Sequence, residues 1–198
     1  MNWKRAVAVI VFGCLALLQS PRSEAAVDTA PRGSIYLMRG LANVFSLGLD
    51  ALNNKLHARG VNSIVLNYSS WPTVAAQIVR RYKTDKNALP VVVMGHSFGA
   101  DATLLLSAEL ARHNIPVALV VEFDVVSNVP VPNNIRHLIN FYESAGNGRR
   151  LTAGPGFKGK LENVDLSRTD ASIDHLNIDK DSRLHARAIA AVLGVLGR

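Results

Sequence analysis

One cysteine, Cys14, stands in 198 residues. A lone thiol closes no disulfide within its own chain and makes no thiolate metal set, so stability has to come from packing. Aromatic residues reach only 6%, and the 22 lysines and arginines are dispersed among them rather than gathered into a basic stripe. That argues against nucleic acid as a partner. The formal charge of +7 does favour peripheral contact with anionic envelope surfaces or polymers. Internal repeats, low-complexity tracts and sustained heptads are missing, which excludes solenoids and coiled coils. The longest apolar run, Ala6 to Leu18, is 13 residues, whereas a bilayer span needs about 20.

That run has a different use. Lys4 and Arg5 precede it, and Ser23-Glu24-Ala25-Ala26 follows it with small residues. Basic, apolar and small residues in this order read as a secretory signal peptide over residues 1–26, leaving one domain over 27–198. An uncleaved anchor is the alternative. Val11-Phe12-Gly13 before Cys14 resembles a lipoprotein signal, but bulky Phe12 does not suit one. Cleavage at Ala25 or Ala26 removes Cys14 and places the protein in the periplasm or outside the cell. Lys4, Arg5, Arg22 and Glu24 leave as well, which lowers the formal charge from +7 by two.

The remaining chain alternates strand and helix. Ser34 to Met38 reads as a strand, and Leu49, Leu52 and Leu56 recur at helical spacing until Gly60. Ser63 to Asn67 is a second strand, and Pro72 opens a helix carrying Val74, Ile78, Val79 and Tyr82. The Val91 to Met94 strand precedes a helix over Gly99 to Arg112. The continuous apolar run Val117 to Phe123 suits a strand covered on both faces. His137 to Tyr142 and Leu161 to Leu166 are two more strands, and a last helix uses Leu184, Ile189, Val192, Leu193 and Leu196. This order predicts an α/β fold with a mostly parallel sheet of about six strands between helices.

Val91-Val92-Val93-Met94-Gly95-His96-Ser97-Phe98-Gly99 delivers a serine from a buried strand into a helix. The chain must turn sharply there, holding Ser97 in a strained backbone with its hydroxyl outward, and side chains at positions 95 and 99 would collide. This is how a nucleophilic serine is mounted.

The element order and Gly95-His96-Ser97-Phe98-Gly99 resemble a compact α/β-hydrolase over essentially the whole mature chain, most like small exported bacterial hydrolases of the thioesterase-like or lipase-like kind. The resemblance implies a nucleophile, then an acid, then a histidine along the chain. Of the later histidines, His137 opens a strand and His185 falls inside the last helix. His175 lies between the last strand and the last helix, where the resemblance places the general base. His96 and His57 precede the acid and read as a neighbour of the turn or surface groups, while His113 favours a helix C-terminus.

The acid should end a central strand, where burial lets it orient the histidine. Asp124 is the first choice and Glu143, one strand later, the alternative. Asp174, beside His175, points away from it and shapes the loop. The oxyanion donors implied are the amides of Phe98 and of Leu41, in Arg39-Gly40-Leu41-Ala42, where Arg39 replaces the histidine commoner in such loops. Arg39 is open to two readings, a contact for an anionic substrate group or a solvated charge. Trp71 reads either as an acyl-pocket wall or as core.

Too few residues separate Asp124 from His137 for a helical lid, which implies an open cleft. The glycine-rich stretch from Ser144 to Lys160 reads equally as a mobile solvated loop, a substrate flap or an anion contact. The implied activity is hydrolysis of a small-molecule or lipid ester, or a thioester, through an acyl-enzyme. Neither metal nor organic cofactor is implied, and the scarcity of thioesters outside the cytoplasm favours oxygen esters. An acyltransferase shares the same residues, and a non-catalytic envelope protein binding anionic lipid or polymer shares the scaffold.

Overall fold

The computed structural model describes residues 35–41, 46–85, 90–170 and 172–198. The expected signal peptide, and Ser34 of the first predicted strand, lie outside these residues.

Six strands form one parallel sheet: β1 (Ile35–Arg39), β2 (Ser63–Asn67), β3 (Val92–His96), β4 (Leu119–Phe123), β5 (His137–Tyr142) and β6 (Lys160–Asp165). Their order is β2-β1-β3-β4-β5-β6. The central β3 and β4 are buried throughout, as their apolar runs require, whereas the edge strands β2 and β6 are only half-buried. No helix among the described residues is long and apolar enough to cross a membrane.

Side-chain alternation divides the core in two. Tyr36, Met38, Val93, Val120 and Leu138 face one side, packed with α2 (Trp71–Thr84) and α3 (Phe98–Arg112). Ile35, Leu37, Val92, Met94, Val121 and Phe123 face the other, packed with α1 (Gly48–His57) and α4 (Ser182–Val195). Local chemistry sets the helix ends. Pro72 occupies the first turn of α2. The Asp181 side chain accepts from the amides of Arg183 and Leu184 to start α4.

The strand order reverses between β1 and β3, so the connections leaving their carboxyl ends pass to opposite faces of the sheet, the usual location of a site in an open parallel sheet. Gly40 and Leu41 leave β1 there, and Ser97 leaves β3. The connection from β4 to β5, residues 125–136, contains no helix to cover it.

The glycine-rich stretch is solvent-exposed at many of its residues, yet it is anchored to the body of the protein around residues 149–153. The Arg149 amide donates to the Val125 carbonyl at 2.9 Å, and the Leu151 amide to Asn163 Oδ1 at 2.9 Å. Leu151 is buried, and Ala153 bridges to Val131. Closely spaced apolar anchors and backbone partners outweigh the glycine content there.

Candidate active site

The turn after β3 owes its shape to two glycines. A Cβ on Gly99 would lie 1.8 Å from the Met38 carbonyl oxygen of β1, and one on Gly95 would lie 2.3 Å from the Gly99 carbonyl oxygen. Glycine at both positions therefore lets α3 start against the sheet. Ser97 takes the strain, with φ 58° and ψ −126°, a region costing a residue with a side chain on the order of 1–3 kcal/mol. Its side chain is less open than the sequence suggested, at 7% exposed, because the histidine loop and Gly40 close over it.

Three residues from distant segments meet in a row. His175 Nε2 lies 3.0 Å from Ser97 Oγ, and His175 Nδ1 lies 2.5 Å from Asp124 Oδ2. A carboxylate only accepts, so Nδ1 carries the proton and Nε2 accepts from the serine hydroxyl. Asp124 is fully buried and also has positive φ, 57°. Its second oxygen accepts from the Glu143 amide at 2.7 Å. Gly148 packs so closely that a Cβ there would come within 2.0 Å of Asp124 Oδ1. The carboxylate is thus aimed from both sides.

Glu143 is not brought to His175. Its Oε1 accepts from the Ala145 amide at 2.7 Å and from Ser167 Oγ at 3.1 Å, tying the loop after β5 to the end of β6.

Phe98 is the first residue of α3, where helix amides lack intrahelical acceptors and the dipole end is positive. On the β1 side, a Cβ on Gly40 would stand 3.0 Å from Ser97 Cβ. That backbone therefore runs directly against the serine, with Leu41 one residue further on. Arg39 is paired within the chain. Its guanidinium holds Asp50 in the first turn of α1 through two contacts, the Nε to Oδ2 bond being 3.0 Å. Trp71 packs against the core and lines a groove between α2 and α3 with Arg80 and His113.

His96 and Ser46 complete the surroundings. His96 Nε2 faces the His175 carbonyl oxygen at 2.8 Å, which only accepts, so this nitrogen carries hydrogen. Its Nδ1 then accepts from Ser46 Oγ at 2.8 Å, and Ser46 Oγ accepts from the Gly40 amide at 2.8 Å. Burial lowers the His96 pKa to about 4, which keeps the ring neutral as this chain of bonds requires. The sequence marks His96 as a neighbour of the turn, but nothing in it singles out Ser46. Gly148 carries only the weak signal of a glycine in a glycine-rich stretch.

No family model and no curated protein matches the chain. Among solved structures it is similar to a protein from Xanthomonas campestris pv. campestris described as a putative hydrolase of the alpha/beta superfamily. The identity is 15%, covering 82% of this chain and 99% of that one, with a TM-score of 0.45. It is also similar to the NocB thioesterase domain, solved in covalent complex with a fluorophosphonate nocardicin G analog. Here the identity is 14%, covering 85% of this chain and 96% of that one, with a TM-score of 0.48. The parallel sheet and the glycine-flanked turn between β3 and α3 are those of a compact α/β-hydrolase fold.

The remaining histidines are occupied elsewhere. His137 Nε2 pairs with Glu162 at 2.6 Å across β5 and β6, and His57 reaches the Ser63 carbonyl oxygen at 2.8 Å. His113 lies 3.3 Å from Glu109. His185 is buried between Lys55 Nζ, 2.8 Å from Nδ1, and the Asp179 carbonyl oxygen, 2.6 Å from Nε2. Asp174 turns its carboxylate onto the Leu176 amide at 2.8 Å and so shapes the loop.

Proposed function

We propose that the protein is a serine hydrolase that cleaves a carboxylic ester or thioester through an acyl-enzyme, after export to the periplasm or beyond. The observation that carries this reading is the unbroken row from Ser97 Oγ through His175 to the buried Asp124 carboxylate. As Ser97 Oγ attacks the substrate carbonyl, its proton passes to His175 Nε2. Asp124 orients the ring and offsets the charge that the imidazole acquires. The amides of Phe98 and Leu41 donate to the developing oxyanion. Collapse expels the alcohol or thiol, which leaves with the proton held by His175. A water then gives its proton to His175 and attacks the acyl group, and return of the proton to Ser97 frees the acid.

A fluorophosphonate probe tests the nucleophile. Labelling and p-nitrophenyl ester turnover are expected in the native protein, and Ser97→Ala should remove both. A well-folded native protein that resists the probe refutes the proposal. The acid is tested by comparing two variants: Asp124→Asn should lower kcat by about four orders of magnitude, and Glu143→Gln by less than about tenfold. A reversed ranking would move the acid to Glu143.

A further inference from the structure

Among the described residues five large apolar side chains are more than two-fifths exposed: Leu41, Leu47, Phe98, Leu105 and Leu176. Leu105 lies on α3, away from its ends. The other four each adjoin, in the chain, a member of the bonded assembly around Ser97: Leu41 follows Gly40, Leu47 follows Ser46, Phe98 follows Ser97, and Leu176 follows His175. An isolated exposed leucine needs no explanation. Four that flank residues bonded around Ser97, on three segments, do, because exposed apolar residues gathered beside a candidate site mark a binding surface. The Phe98 ring also lies 5.9 Å from that of Tyr68, which carries the apolar surface towards the end of β2.

Charge points the same way. Arg39, the cation at the end of β1, is matched by Asp50, and Lys180 Nζ donates to the Leu176 carbonyl at 2.7 Å. The Arg39 charge is thus not offered freely to a substrate carboxylate or phosphate.

We propose that the acyl group cleaved at Ser97 is an uncharged hydrocarbon chain, seated on Leu41, Leu47, Phe98 and Leu176. The proposal rests on the hydrolase reading and narrows its substrate class. Each methylene fully buried against these side chains raises transition-state binding by up to about fourfold. An acetyl group offers this surface only one methyl, and a charged chain loses hydration on it.

The test is kcat/KM of the purified protein on p-nitrophenyl acetate, butyrate and octanoate, with p-nitrophenyl hemisuccinate as the charged counterpart of butyrate. Octanoate should exceed acetate at least tenfold, and butyrate should exceed hemisuccinate. Leu47→Asn and Leu176→Asn together should lower the octanoate-to-acetate ratio at least fivefold, whereas Leu105→Asn should leave the ratio as in the native protein. Fluorophosphonate labelling is run in parallel. A labelled protein with a flat chain-length profile, a preference for hemisuccinate, or an unchanged ratio in the double variant overturns the acyl-chain assignment alone. So does a flat profile joined to binding of zwitterionic lipid vesicles that the double variant loses, which would make the surface a lipid-docking face. An unlabelled protein overturns the hydrolase reading on which the assignment depends.

Discussion

His96 shows how one side chain can hold two loops. Its Nε2–H fixes the carbonyl of His175, and through Ser46 its Nδ1 fixes the amide of Gly40, so the base and the loop beside the nucleophile share a single buried ring. Replacement by Phe keeps the bulk and removes both bonds. His96→Phe should lower kcat by about 10- to 100-fold, the scale expected when a reacting group is slightly misplaced. Fluorophosphonate labelling of the variant should be slowed, not lost. A variant with native kcat would make the ring mere packing. The same residue sets a pH response. Its pKa falls from 6.5 to about 4 on folding, so the unfolded chain takes a proton that the folded chain refuses. Stability is therefore unaffected above about pH 6.5 and declines as pH falls towards 4, by roughly 3 kcal/mol in all. Urea unfolding between pH 7 and 4 should show the native protein losing stability relative to His96→Phe.

The segment leading into α4 is docked by an opposite device. Asp179 lies in a 3-10 turn, residues 178–180, just beyond the His175 loop. One of its carboxylate oxygens accepts from the Gly48 amide at the start of α1 at 2.8 Å, and the other is buried with no partner among the described residues. Burial raises its pKa from 3.8 to about 6. The folded chain binds this proton more readily than the unfolded one, so stability rises as pH falls from about 6 to 3.8. Above pH 6 the buried charge costs roughly 3 kcal/mol. Asp179→Asn keeps an acceptor for Gly48 and removes the charge. At pH 8 the variant should melt above the native protein, and the two should converge near pH 4. A lower melting temperature at pH 8 would show that the charge itself is needed. Because Asp179 and His96 act over nearly the same interval with opposite signs, each should be visible only against its own variant.

Across the assembled protein, every group in the proposed chemistry lies on segments leaving the carboxyl end of one parallel sheet, separated by up to 134 positions, as Leu41 and His175 are. Packing and hydrogen bonds hold them there, since one cysteine closes no disulfide within the chain. The expected export step is checked by the N-terminus of protein recovered from periplasm or medium. Residue 26 or 27 should come first. A start at Met1 in the membrane fraction would make residues 1–26 an anchor, and a lipid-modified start at Cys14 would make the protein a lipoprotein.

The period of apolar residues was enough to read the elements. β2 and β5 have the predicted bounds, while β4 starts two residues late because Val117 makes only an isolated bridge with Ile135. Ser97 was legible because a strand, two flanking glycines and a helix are local, adjacent facts. His175 and Asp124 were reached only through chain order and element ends, and Glu143 stood open beside Asp124. In the structure Asp124 meets His175 while Glu143 turns to Ser167. Tertiary structure likewise decided the pairing of Arg39 with Asp50, the link from His96 through Ser46 to Gly40, and the four apolar side chains beside the candidate site. Local sequence fixes backbone conformation through sterics and periodicity. A hydrogen bond between segments tens of residues apart leaves no local trace, so only the folded chain decides which polar groups meet.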